Sequence, residues 1–245
     1  MEYVLGFVIS VFIGLTGVGA GSMTTPLLIL LLGLPTSQAV GTALIFGAAV
    51  KIITTPFYWK RRQIDVKALG YLLATGLPGV LIGSVLLSGI KSDWVTAFVG
   101  LTIMSISTFN LFRFAPSESV DRKPWLSAVG LPIGLEVGFS SAGAGALGSL
   151  CLMNLTTLTP AAIVGTDLTF GLVLNLVGGG IRAAAGDLDW PILMKLLTGG
   201  AVGAIAGSLL AQKLPSKKLK VILCVALVGL GGNLAWKGVS TAMGW

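Results

Sequence analysis

The sequence predicts an all-α, polytopic membrane protein made of two repeats of opposite topology. Three observations lead there: composition, recurrent apolar stretches of spanning length, and a register of the chain with itself. Of 245 residues, 54% are hydrophobic and only 10% charged, and mean hydropathy is +0.94. A soluble domain carries roughly 25% charged residues. In water this composition would leave large exposed apolar patches, whereas lipid accommodates it.

The apolar stretches run in order over 4–18, 22–34, 38–57, 66–90 and 95–112, then 126–141, 146–158, 162–181, 190–212 and 219–236. A helix needs about 20 apolar residues to cross the hydrocarbon core, which the third and fourth members of each set supply. Barrel strands would alternate strictly, and these stretches do not. The opening pair of each set is short. Its second member, about 13 residues at ~1.5 Å each, falls well short of a span. The 35 glycines suit close helix packing and broken helices. Tyr58-Trp59, Trp94, Trp125, Trp190 and Trp236 fall near segment ends, as interfacial anchors do. No polar stretch exceeds about 113–124, so the chain reads as one membrane domain, 1–245. Met1-Glu2-Tyr3 lacks the basic start of a signal peptide, and the first apolar stretch is expected to be retained.

The chain registers on itself at an offset of 124 residues without a gap. Gly14-Leu-Thr-Gly-Val-Gly-Ala-Gly21 falls on Gly138-Phe-Ser-Ser-Ala-Gly-Ala-Gly145, and Val40-Gly41-Thr42-Ala43-Leu44 falls on Val164-Gly165-Thr166-Asp167-Leu168. Asp65 meets Asp189, and Gly76, Gly79, Gly83 and Ser84 meet Gly200, Gly203, Gly207 and Ser208. Between Gly14 and Leu87, 22 of 74 positions are identical, which makes the period real. Repeat 1 covers 4–112, a linker 113–124, and repeat 2 covers 126–237.

Loop charge sets the orientation. Lys60, Arg61, Arg62 and Lys67 surround Asp65 in the first half, while the matching loop has Arg182 against Asp187 and Asp189. After the fourth segment the bias reverses: Lys91 and Asp93 cancel, but the second half carries Lys213, Lys217, Lys218 and Lys220. Cytoplasmic loops collect Lys and Arg. Residues 60–67, 113–124 and 213–220 are therefore expected on the cytoplasmic side of a bacterial or archaeal plasma membrane, and the two halves are inverted. With 113–124 inside and 182–189 outside, each short pair either crosses twice or dips in as a re-entrant hairpin. The hairpin is favoured, because its tip would be the glycine-rich turn, and irregular backbone at depth must line a cavity or be buried. Inverted repeats with broken helices meeting at the midplane are a transporter design.

The quoted motifs, with the basic loop ending Ile64-Asp65, resemble the TauE/SafE family of sulfite and organosulfur anion exporters over nearly the whole chain, 4–237. The resemblance implies transport of sulfite, sulfoacetate or other small organic anions in either direction. Many members have Gly-Ile-Gly-Gly-Gly in the first motif; this chain has Gly17-Val-Gly-Ala-Gly21, which alters backbone approach at Ala20.

The candidate site follows from chemistry at the motifs. Gly17, Gly19, Ala20 and Gly21, with Gly143, Ala144 and Gly145, form two symmetric turns whose N–H groups can cradle an anion ahead of a helix N-terminus. Their alternative use is close packing. Thr42 and Thr166 either donate to that anion or bond back to the i−4 carbonyl. Lys51 either supplies a point charge for an oxyanion or snorkels towards Lys60. Asp167, whose repeat mate is Ala43, is an intramembrane carboxylate for ion coupling or gating, or else a helix cap. Glu136 shares its surroundings, and Arg182 is expected to snorkel outward. Cys151 and Cys224 lie in apolar segments and are expected to be small buried hydrophobes. No histidine is present, so no Cys/His metal site, cofactor or catalytic residue is assigned, and the net charge of +7 is small for nucleic-acid binding. Function is thus expected to be secondary transport of a small anion across the bilayer, coupled to protons or sodium. The alternatives are a passive anion channel and a non-transporting membrane subunit or sensor. Composition leaves monomer and homo-oligomer equally open.

Overall fold

The computed structural model describes residues 1–16, 20–89, 92–112, 122–210 and 216–243. Among these, all regular structure is helical: α1 Glu2–Thr16, α2 Ala20–Leu31, α3 Thr36–Lys60, α4 Val66–Gly89, α5 Ser92–Phe112, a 3-10 turn Lys123–Trp125, α6 Leu126–Ser140, α7 Gly143–Leu155, α8 Pro160–Ala184, α9 Trp190–Leu210 and α10 Ser216–Met243. Each predicted stretch becomes one helix, and α10 runs beyond 236 to Met243. Four of them, α3, α4, α8 and α9, are long and apolar enough to cross a membrane. Local chemistry sets several ends. Asp65 and Asp189 accept from the N–H groups of Ala68 (2.8 Å) and Ile192 (2.9 Å), capping α4 and α9 in the same way. Thr159 caps α8, with Pro160 in its first turn. Gly33 and Gly186, with φ of 67° and 78°, end α2 and α8.

Two long helices form the centre. α3 and α8 run antiparallel, with Gly41 against Asp187, Ile45 against Gly179, Lys51 against Gly171 and Tyr58 against Gly165. Around them α1 lies parallel to α9, and α6 parallel to α4. Gly200, Gly203 and Gly207 of α9 press on Ser10, Phe7 and Val11; Gly76, Gly79 and Gly83 of α4 press on Gly134, Leu131 and Leu135. The two ladders correspond at the 124-residue offset. α5 and α10, themselves repeat mates, pair antiparallel through Gly100, Gly231 and Gly238. Lipid gives apolar helices no hydrophobic reason to associate, so such close backbone approach and its dispersion energy hold them together. Leu81, Val85, Val202, Ile205 and Leu209 stay exposed outside while Thr24, Thr25 and Ser140 are buried, the arrangement lipid requires. Trp59, Trp125, Trp190 and Trp236 are exposed near helix ends.

The short pairs turn back on themselves. The N–H of Arg122, just before α6, donates to the carbonyl of Leu155 at the end of α7 (2.9 Å), so the two ends of this pair lie side by side. α1 and α2 likewise flank one apolar groove, between Met1, Val4, Leu5, Val8 and Ile9 on one arm and Met23 and Leu27 on the other. α6 and α7, of 15 and 13 residues, measure about 20–22 Å against a core of about 30 Å. The tip between them reaches Gly171, the midpoint of α8.

Charge separates the two ends of the bundle. Lys60, Arg61, Arg62, Lys67, Arg122 and Lys123 gather at one end, where Lys123 pairs with Asp65 at 2.9 Å. At the other, Glu2 pairs with Lys195 at 3.5 Å near Asp187 and Asp189. The stretch 113–121 and the lysines at 213, 217, 218 and 220 contribute no described side chain.

Candidate functional site

The two hairpin tips meet. Gly21, at the start of α2, packs on the Ser141 backbone and hydroxyl so closely that no side chain would fit. Thr25 Oγ1 and Ser141 Oγ share a hydrogen bond of 2.6 Å across this contact. Ser141 itself has φ of 66°, the left-handed residue at which α6 stops. Ser140 Oγ donates to Glu136 Oε1 (2.5 Å) and accepts from the Ala142 N–H (3.2 Å). Glu136 thus lies one turn before the tip and is tied to it. Gly17 and Gly19 lie outside the described residues, as does the side chain of Ala20.

The second motif is a break inside a helix. Ala144 is extended (φ −72°, ψ 132°) and Gly145 takes φ of 104°, a conformation open chiefly to glycine. Regular α7 geometry resumes after it. Asp167 of α8 holds this break from the side: Oδ1 accepts the Gly145 N–H (3.2 Å) and Oδ2 the Ser149 hydroxyl (2.5 Å). A helix that starts in mid-bundle leaves orphan N–H groups, and a neighbouring helix here supplies the capping carboxylate. Asp167 is 1% exposed and Gly148 lies against its Oδ1. That explains the mismatch with Ala43, because Gly21 and Thr25, the repeat mates of Gly145 and Ser149, meet a different partner, Ser141.

Lys51 does not snorkel. It is 1% exposed, and its Nζ lies in the space a side chain at Gly171 would occupy, beside Ala144. Asp167 attracts its charge. Its repeat mate Asn175 is one turn beyond Gly171, equally buried, with Oδ1 lacking a partner among the described residues. The structure therefore brings Lys51, Asp167 and the Gly143-Ala144-Gly145 break together, with Gly21 and Glu136 around the adjoining tip.

Thr42 and Thr166 lie elsewhere. Thr42 Oγ1 accepts from the Asp189 N–H (3.2 Å), and Thr166 Oγ1 from the Asp65 N–H (3.0 Å). Each repeat's Val-Gly-Thr motif thus grips the loop of the other repeat, one at either end of the α3/α8 pair, away from Lys51. Arg182 is also placed differently from the snorkelling expected. It is fully buried, pairs with Asp187 (2.9 Å) and donates to the Ser84 carbonyl. The loop 185–189 and α4 cover the end of α8 and offer acceptors to both terminal nitrogens of the guanidinium.

Sequence reasoning passed over Ser140, Ser141, Thr25, Ser149, Gly171 and Asn175. Hydroxyls within apolar segments were one usable signal; the pairing of Lys51 with Asn175 at the repeat offset was another. Chemically, the arrangement is a buried ammonium beside the Ala144–Gly145 break, suited to holding an anion.

Comparison with known proteins places these features in a family. A family model described as sulfite exporter TauE/SafE matches residues 3–234. The chain is 26% identical to the "probable membrane transporter protein YjnA" of Bacillus subtilis (strain 168), over 94% of this chain and 97% of that one. It is 27% identical to "probable membrane transporter protein YdhB" of the same organism, over 91% and 96%. A "probable membrane transporter protein" of Xylella fastidiosa (strain 9a5c) is 25% identical over 95% and 93%. No solved structure matches.

Proposed function

Because the chain belongs to the sulfite exporter TauE/SafE family, and is thus a multi-pass transporter of the cell membrane, we propose that it is a secondary transporter of small sulfur-containing or organic anions such as sulfite and sulfoacetate, coupled to protons or sodium. The observation that carries this reading is Lys51, a buried cation at mid-bundle whose Nζ lies against Gly171, beside the α7 break. A cation so placed is costly unless something negative joins it. The anion rests against Lys51 and the tips at Gly21 and Gly143, Ala144 and Gly145, with Gly17, Gly19 and Ala20 completing the other turn. Asp167 and Glu136, tied to one tip, serve coupling or gating. Antiparallel α3 and α8 and the matched glycine ladders support inverted halves that rock about this point. Thr42 and Thr166, engaged at opposite ends, act as latches of that motion. The end bearing Lys60, Arg61 and Arg62 faces the cytoplasm.

The test is flux of labelled sulfite and sulfoacetate into proteoliposomes, with and without an imposed proton or sodium gradient. Gradient-driven accumulation is expected, reduced at least tenfold by Lys51→Gln, since a hydrogen bond to a charged group contributes about 1.5–3 kcal/mol. Downhill flux alone identifies a channel. No flux of any small anion refutes the substrate class.

A further inference from the structure

Asp167, Gly171 and Asn175 follow one another at intervals of four residues, so they form one stripe along α8. Lys51 Nζ docks at the middle of that stripe, against Gly171. On one side stands Asp167, already accepting two hydrogen bonds from the α7 break. On the other stands Asn175, 1% exposed, whose Oδ1 finds no donor among the described residues. A buried ammonium thus docks one helical turn along α8 from a residue whose buried carbonyl oxygen lacks a donor among the described residues. The two belong to equivalent positions of the two repeats, so each half contributes one polar group to the same buried stripe. Folded proteins rarely leave such an acceptor unpaired without a use for it.

We infer that the carried anion is a monoanion with a hydrogen-bond donor of its own, a hydrogen oxyanion or a hydroxylated sulfonate or carboxylate, gripped by Lys51 through its charged oxygens and by Asn175 Oδ1 through its O–H. The inference rests on the transport reading and narrows its substrate class. A dianion is the poorer fit on two counts. It brings two negative charges to a single ammonium that already faces Asp167, and its oxygens, acceptors only, would meet Asn175 Oδ1 acceptor to acceptor. An O–H reverses that second contact. A site built around such a hydrogen bond discriminates strongly against an analogue that lacks it.

Proteoliposome flux of two monoanions, isethionate and ethanesulfonate, isolates the hydroxyl, and a pH series with sulfite isolates the acidic hydrogen. Wild-type protein is expected to carry isethionate at least about tenfold faster, and its sulfite flux to follow hydrogen sulfite rather than the dianion. Asn175→Leu brings the sulfonate ratio close to one while ethanesulfonate flux persists. Its thermal stability without substrate is no lower than wild type, because an unsatisfied buried acceptor has been removed. Asn175→Lys, which repeats Lys51 in the second half, shifts preference towards the sulfite dianion. Equal sulfonate rates, a preference that survives Asn175→Leu, or sulfite flux that follows the dianion would overturn the inference and leave transport intact. A destabilised Asn175→Leu that also loses ethanesulfonate flux assigns Asn175 to structure and overturns it too. If the wild type moves none of these anions, the transport reading itself fails and this one with it.

Discussion

Neutralising Asp167 and Lys51 singly and together measures the central electrostatic claim. Asp167→Asn keeps an oxygen for the Gly145 N–H, and Ser149 can turn its hydroxyl to accept from the new amide, so the α7 break retains its cap. What disappears is the charge facing Lys51. Nζ touches Gly171, one turn and therefore about 6 Å from Asp167. Two unit charges at that distance in an effective dielectric of about 20 interact by about 3 kcal/mol. Either single substitution strands a buried charge, which costs about 3–5 kcal/mol. Asp167→Asn with Lys51→Met removes both charges and should cost about 3 kcal/mol less than the two single substitutions summed, a coupling energy of about 3 kcal/mol. Equilibrium unfolding of the four proteins in mixed micelles reads it directly. Additivity within about 0.5 kcal/mol would mean that the two side chains do not sense one another, and the placement of Lys51 in the site would fall.

Gly134→Val places a side chain against the Gly76 backbone, where neither helix can yield, and is expected to destabilise by at least about 1–3 kcal/mol in the same unfolding assay. Gly180→Ala, also in mid-helix but with open space around it, is expected instead to stabilise by about 0.5–1 kcal/mol. At Asp65, burial pushes the carboxyl up, but the Ala68 N–H and the Lys123 ammonium outweigh it and hold the group below its ordinary value. The stabilisation is therefore complete above about pH 4 and declines as pH falls further; Asp65→Asn should show a flatter acid limb, and an unchanged limb would remove the role of Lys123. In a background lacking Cys151 and Cys224, Arg62→Cys is expected to react with impermeant thiol reagents only from the cytoplasmic side, and Ala185→Cys only from outside. Labelling of both from one side would overturn the inverted arrangement.

Solvent and architecture were legible early because they rest on summed properties. Apolar length fixed ten segments whose helices differ from them by only a few residues, apart from the extended end of α10. The 124-residue offset, read from Gly-Thr and Asp matches, anticipated the paired glycine ladders and the crossed Thr42 and Thr166 contacts. Their geometry was not legible, since a threonine hydroxyl has no partner until loops 63–65 and 187–189 arrive from the opposite repeat. Arg182 shows the same limit. A terminal arginine snorkels by default, and only the fold supplied Asp187 and the Ser84 carbonyl as internal acceptors.

The sequence by itself determined that this chain lives in lipid, that its two halves share a plan, and that irregular backbone falls at the Gly143-Ala144-Gly145 motif. These follow from composition and periodicity, which need no knowledge of who touches whom. The tertiary structure decided which polar groups share a space. It set Lys51 into the gap at Gly171, turned Asp167 into the cap of a helix in another segment, and left Asn175 beside them with an open acceptor. Contacts of this kind join separate helices, through side chains whose direction is fixed only when the helices have packed.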